Sequence, residues 1–184
     1  MSAESISAAL ISAGIPVELV IVIISAIPII ELRGSIPFGV NLMGMPWYTV
    51  FPLAIIGNLL PVPFLLLFTE FISKELSRIP VFEKFFTWLF KKTREKSGAI
   101  AQYKHIGLAL FVAIPLPGTG AWTGSIAAVL LSMDRKWAVI SVTAGVLIAA
   151  VIVTMLCLLG WVGAIIAGVA LSIVLAYGFR HSAR

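Results

Sequence analysis

The sequence predicts an all-α integral membrane protein. It reads as an inverted repeat of two re-entrant helical hairpins, each followed by a transmembrane helix, with a C-terminal transmembrane helix and a cytoplasmic amphipathic helix added. Three observations lead there. Sixty per cent of the 184 residues are hydrophobic and 11% are charged, and the mean hydropathy is +1.10, well beyond an ordinary soluble domain. Two apolar stretches are interrupted near the middle, leaving arms of about 11 to 14 residues where a full crossing takes about 20. Finally, the chain matches itself at a shift of 90 residues.

A bilayer admits only helices and closed barrels, because every backbone polar group must be satisfied internally, and the long runs here lack a barrel's alternation. At the N-terminus no basic, apolar and small-residue pattern marks a cleavable leader, so the start reads as mature chain. Ser5 to Ile15, flanked by Glu4 and Glu18, reads as a short segment at the outer surface. Val17 to Met45 follows as a first hairpin, broken around Glu31 to Pro37. Tyr48 to Ile72 is a full span. Lys74 to Lys104 then carries eight of the 13 Lys and Arg residues against three acids. Within it Phe82, Phe85, Phe86 and Leu89 share one helical face, as in a helix lying on the membrane surface. Ile106 to Met133 is the second hairpin, broken around Pro115 to Gly120. Trp137 to Leu158 and Trp161 to Phe179 complete the spans, with Trp47, Tyr48, Trp137, Trp161 and Tyr177 at their ends, where aromatic rings favour the interface.

Basic residues set the orientation. If Ile106 to Met133 enters from the cytoplasm and returns, Arg135, Lys136 and the tail ending at Arg184 all join Lys74 to Lys104 inside. A single crossing there would put them outside. Traced backwards, the first hairpin enters from the outside. The expected organisation is one membrane domain, 1–184, with a first repeat (1–73), a basic linker (74–105), a second repeat (106–158) and a last span with basic tail (159–184). The protein is expected in the plasma membrane as a multi-pass chain with linker and C-terminus cytoplasmic.

The shift of 90 sets Gly34 to Trp47 over Gly124 to Trp137, with Gly, Ser, Ile, Met and Trp coinciding. Because the two hairpins enter from opposite faces, the repeat would be inverted, and broken helices meeting at the midplane are a transporter architecture. Ser35 and Pro37 suit the start of a second arm, and Thr119 or Thr123 suits the cap of its counterpart. Two half-helix N-termini would then face each other with free N–H donors, which suits an anion. Arg33 adds a guanidinium able to hold a phosphate or carboxylate, and Glu31 could neutralise it or carry a coupling proton.

The candidate substrate site is therefore Glu31, Arg33, Gly34, Ser35, Pro37, Asn58, Pro115, Pro117, Gly118, Thr119, Gly120, Trp122 and Thr123. Each has a plainer reading beside it. Glu31 and Arg33 could be a structural ion pair, the prolines and glycines a tight turn, Asn58 with Pro61 and Pro63 a kink, and Trp122 packing. Glu70 reads as reaching the interface, and His105 and His181 as interfacial.

At "ELRGSIPFGV", "GNLLPVP" and "FVAIPLPGTGAWTGS" the chain resembles the small multidrug export protein family, over roughly Ile24 to Ile148. It also looks like a relative of the DedA and VTT membrane proteins, which are implicated in moving undecaprenyl phosphate or phospholipids. That resemblance implies that Glu31 and Arg33 match the charged pair of the first hairpin, and Ile114 to Thr119 the turn of the second. It departs in one respect: DedA-type second hairpins carry arginines around the turn, and none lies between Lys104 and Arg135 here.

The leading expectation is a transporter or lipid flippase for a small amphipathic or anionic substrate, working in the lipid bilayer. A small multidrug or cation exporter and a channel are the alternatives. Enzyme chemistry fares poorly: there is no HExxH, no intramembrane aspartate and no histidine placed to activate Ser35 or Ser125. Cys157 is the only cysteine, so neither an intramolecular disulfide nor a cysteine metal site can form. No cofactor is expected beyond a coupling proton or sodium ion, and no nucleic acid; a homo-oligomer stays open.

Overall fold

The computed structural model describes residues 3–67, 100–116, 118–131 and 133–160, together with 162, 163, 165, 168, 169 and 172. Among the described residues all regular structure is helical. The basic amphipathic stretch before residue 100 and most of the predicted last span, Trp161 to Phe179, lie outside them.

Helix α1, Ala3–Ser12, ends at Gly14, whose φ of 80° is a left-handed turn. Helix α2, Val17–Ala26, starts behind Pro16 with Glu18 in its first turn, where a carboxylate favours the positive end of the helix dipole. It stops at Ile27, which is extended (ψ 131°), because Pro28 excludes the helical region for the residue before it. Helix α3, Glu31–Pro37, follows and runs into a π-helical turn, Phe38–Leu42. Pro37 has no N–H to continue the α ladder. The Phe38 amide instead reaches both Gly34 and Ser35, and Met43 N closes on Phe38 O at 3.0 Å, so one residue is absorbed as a wide turn.

This corrects one expectation. The break in the first hairpin lies at 27–30, upstream of Glu31 to Pro37, which is itself the second arm. Ser35 and Pro37 sit inside and at the end of that arm and cap nothing at its start.

Helices α4, Trp47–Leu59, and α5, Val62–Leu67, are joined at Leu60 and Pro61. Leu60 N bonds to Ile56 O and Leu65 N to Pro61 O, both at 3.0 Å, so the pair continues as one apolar stretch of 21 residues, Trp47–Leu67. At 1.5 Å per residue that is about 30 Å, enough to cross a hydrocarbon core. Helix α6, Ile100–Ala113, begins earlier than expected. The second break, 114–120, falls where the prolines and glycines predict it, and α7, Ala121–Leu130, follows it. Helix α8, Arg135–Leu158, is the second membrane-length stretch. Asp134 caps it, accepting from Lys136 N at 2.9 Å.

The packing has two matching halves. α2 lies along α4, and α6 along α8; the second arms cross over, α3 against α8 and α7 against α5. The second arms begin at Glu31 and Ala121, the same shift of 90 that aligns the sequence. Ile21, Ile24, Leu32 and Ile36 from one half, and Val112, Val142 and Val146 from the other, are fully buried. Lipid tails are as apolar as these side chains, so close packing holds the helices together. Glycines permit that closeness at matching places. A Cβ on Gly57 would overlap the Val22 carbonyl oxygen of α2, and one on Gly145 would come within 2.6 Å of the Ala109 carbonyl oxygen of α6.

Candidate functional site: a carboxylate between the two hairpins

Glu31 opens α3 with φ of 50°, the single non-glycine residue in the left-handed region among the described residues. For a residue with a Cβ that conformation costs roughly 1 to 2 kcal/mol. The surroundings hold it there. Its side chain is 4% exposed and crosses from the first hairpin to the second. Oε1 accepts from Trp122 N at 3.4 Å, and the Ala121 amide also bonds to the carboxylate. These are the first N–H groups of α7, which have no partner within their own helix. Glu31 is therefore the cap of α7, supplied from across the molecule.

Gly120 makes room for this. A Cβ there would land on the Glu31 carboxylate, although the Gly120 backbone is extended (φ −92°) and open to any residue. Space, not torsional freedom, requires glycine here.

Arg33 lies on the same side of α3's first turn. Its Nη2 is 3.6 Å from Glu31 Oε2 and donates to Thr119 Oγ1 at 3.2 Å. The Thr119 hydroxyl stands 2.6 Å from Ile114 O and 2.9 Å from Leu116 O; with one proton it donates to one of them and still accepts from Arg33. Trp122 returns the exchange, since its Nε1 donates to Ala26 O, the last carbonyl of α2, at 2.9 Å. Each hairpin thus satisfies a helix end of the other. Four hydrogen bonds and the Glu31–Arg33 ion pair converge on the seam between the halves. Even so, Glu31 Oε2 and Arg33 Nε are buried without a hydrogen-bond partner, which leaves the pair half-satisfied in a place where unmade bonds are costly.

The structure brings Glu31, Arg33, Thr119, Gly120 and Trp122 together. Thr123 stands one turn into α7 and its hydroxyl bonds Gly120 O at 3.2 Å. Neither threonine is the cap of α7, contrary to expectation, because the Glu31 carboxylate already occupies that end. The sequence suggests an outside anion at the N-terminus of α7; in the structure the Glu31 carboxylate lies there. Ser35 is fully buried and hydrogen-bonded to Ser25 of α2, within the first hairpin. Gly34 and Pro37 are half-buried on α3, Pro115 is half-buried and Gly118 exposed in the second break, and Pro117 lies outside the described residues. Asn58 is buried on α4 at 1% exposure, its Oδ1 without a hydrogen-bond partner.

A family model described as "Putative small multi-drug export protein" matches residues 31–152. The match begins at Glu31 and takes in both second arms and most of α8. The chain belongs to this small multidrug export family. No curated protein and no solved structure matches it. Membership makes it a membrane transport protein by family name, in keeping with the two membrane-length helices, and the family's matched segment contains the whole Glu31–Arg33–Thr119 constellation. Ser25, which no sequence pattern singles out, and the Trp122 bond to Ala26 lie partly before that segment.

Proposed function

We propose that this small multidrug export protein moves a small amphipathic or anionic substrate across the bilayer between hairpins that re-enter from opposite faces, with Glu31 carrying the proton that frees one half from the other. Arm lengths support the re-entrant geometry: α2 and α7 have ten residues each, about 15 Å, half of a hydrocarbon core. The crossed packing and the shift of 90 support an inverted repeat. On this reading no chemical step occurs, no cofactor is required beyond a proton or sodium ion, and the basic linker and tail lie in the cytoplasm.

One observation carries the proposal. Among the described residues a single carboxylate joins the halves, and its second oxygen, paired with Arg33 at 3.6 Å, is buried without a hydrogen bond. When ionised, Glu31 holds α7 and neutralises Arg33. Once protonated it has no charge to offer either, and Arg33 is released to take a phosphate or carboxylate bidentately. A lipid phosphate is the DedA-like form of that substrate.

A cationic drug, to which the family name points, would meet Arg33 and the positive end of α7 beside the carboxylate it needs. Binding to the purified protein between about pH 5 and pH 8, a range that brackets carboxylate titration in proteins, separates the two. Undecaprenyl phosphate should bind more tightly as pH falls, and Glu31→Gln should bind it well at every pH. A quaternary ammonium dye that binds more tightly at high pH, loses binding in Glu31→Gln, and does so with no lipid-phosphate binding, overturns the anionic reading in favour of a cation exporter.

A further inference from the structure

At the far end of the second half, the start of α6, the end of α7 and the start of α8 meet. Lys104 Nζ reaches Leu131 O, just past α7, at 3.5 Å. The His105 ring stacks on Trp137, centroids 4.8 Å apart and tilted by 32°. These contacts place Lys104 and His105 beside Arg135 and Lys136, which open α8. Asp134 is the acid in the cluster, and its carboxylate is engaged as the α8 cap. Among the described residues none of these three cations has an ion-pair partner.

The surface next to the charges is apolar. Trp137 and Ile140, one turn apart on α8, and Ile106 and Leu110, one turn apart on α6, are all exposed. A ligand for this corner has an anionic head and hydrocarbon tails. We infer that Lys104, Arg135, Lys136 and Trp137 form a binding site for the headgroup of an anionic phospholipid, with its chains along Ile106, Leu110 and Ile140. Free phosphate would meet the charges but leave those side chains bare, and a neutral lipid would do the reverse. The tryptophan belongs at headgroup depth, and basic groups at helix ends are what anionic headgroups select. The site is separate from Glu31 and does not depend on the transport reading.

Native mass spectrometry of the full chain, released from detergent with phosphatidylglycerol or phosphatidylcholine of identical acyl chains, tests it. The protein should retain phosphatidylglycerol preferentially. Arg135→Gln with Lys136→Gln should reduce that preference by roughly 30-fold, from the two charges removed at about fivefold each. Both residues are exposed, and the single Lys136→Gln variant, expected to lose about fivefold, serves if the double variant is poorly folded. Lys136→Arg, which keeps the charge, should leave the preference within about threefold, less than one site charge is worth. An unchanged preference in the variants that lose charge at Arg135 and Lys136, no preference in the parent protein, or an equal loss in the charge-conserving Lys136→Arg variant would each overturn the site.

Discussion

Gly120→Ala isolates the contact between the halves from everything else the hairpins do. The new Cβ would occupy the position of the Glu31 carboxylate, while the Gly120 backbone (φ −92°) accepts alanine without strain. The carboxylate must therefore leave the Ala121 and Trp122 amides and separate from Arg33. A hydrogen bond to a charged group contributes roughly 1.5 to 3 kcal/mol, and one side of a buried pair left alone costs about 3 to 5 kcal/mol, so a loss of about 3 kcal/mol is expected. Reversible unfolding in mixed micelles measures it. Glu31→Gly supplies the decisive comparison, because it removes the carboxylate and suits φ of 50°. In that background Gly120→Ala should cost less than about 1 kcal/mol, giving a coupling of roughly 2 kcal/mol or more where independent sites add within about 0.5. Additive effects would refute the contact between Glu31 and the start of α7. As a control, Gly118→Ala meets open space at φ of 85°, and should cost only the left-handed backbone penalty of about 1 to 2 kcal/mol with no coupling to Glu31.

Arg33→Lys should support less than full transport, since one ammonium cannot hold both Thr119 and a bidentate anion, whereas Arg33→Ala should abolish it; normal proteoliposome transport by a well-folded Arg33→Ala protein would make the pair purely structural. Ser25→Ala or Ser35→Ala alone should destabilise by about 1 to 3 kcal/mol by stranding a buried hydroxyl, and the double variant should recover most of that, as read by the same unfolding assay. Gly57→Ala should destabilise by about 1 to 3 kcal/mol because α4 must move off the Val22 backbone; an unchanged midpoint would show that α2 and α4 do not pack so closely. In a Cys157-free background, a cysteine at position 4 should be labelled from outside and one at position 183 from inside, and the opposite result at either would overturn the orientation.

Local rules carried the sequence reading as far as the physics is local. Pro115 to Gly120 breaks the second hairpin because those residues disfavour helix wherever they stand, and the apolar lengths around α4 and α8 follow from composition. Glu31 and Arg33 stood out because charge within an apolar run is expensive. The first break lies a few residues before the expected one because Pro28 already stops the helix at Ile27, while Ser35 and Pro37 imitate a helix start. The cap of α7 was beyond such rules. Thr119 and Thr123 have the right chemistry at the right spacing, but the cap comes from a carboxylate 90 positions earlier. That shift was itself visible, and it sets Glu31 over Ala121; what it could not show is that the Glu31 side chain reaches the first amides of α7 in space.

The energetics of that meeting bear on whether Glu31 is there for stability. A glycine at position 31 would remove a backbone penalty of roughly 1 to 2 kcal/mol, and a serine in place of Gly120, the N-cap position, could then cap α7 locally for about 1 kcal/mol without a buried charge. The chain instead holds a strained, half-satisfied acid against a half-satisfied base, and buried pairs of that kind are a poor source of stability. What they do supply is an interaction that one proton can remove. Driving a seam from 1:99 to 99:1 takes about 5.5 kcal/mol of differential binding; loss of the cap and the pair together, at about 3 kcal/mol, shifts the balance by roughly two powers of ten, from 1:99 to near even, which lets the halves part. A single neutral hydrogen bond, at about 1 kcal/mol, would be too small, and an ideal bidentate salt bridge with all its bonds made would resist opening. The pair's length of 3.6 Å and the absence of a hydrogen bond to Oε2 put it between those limits.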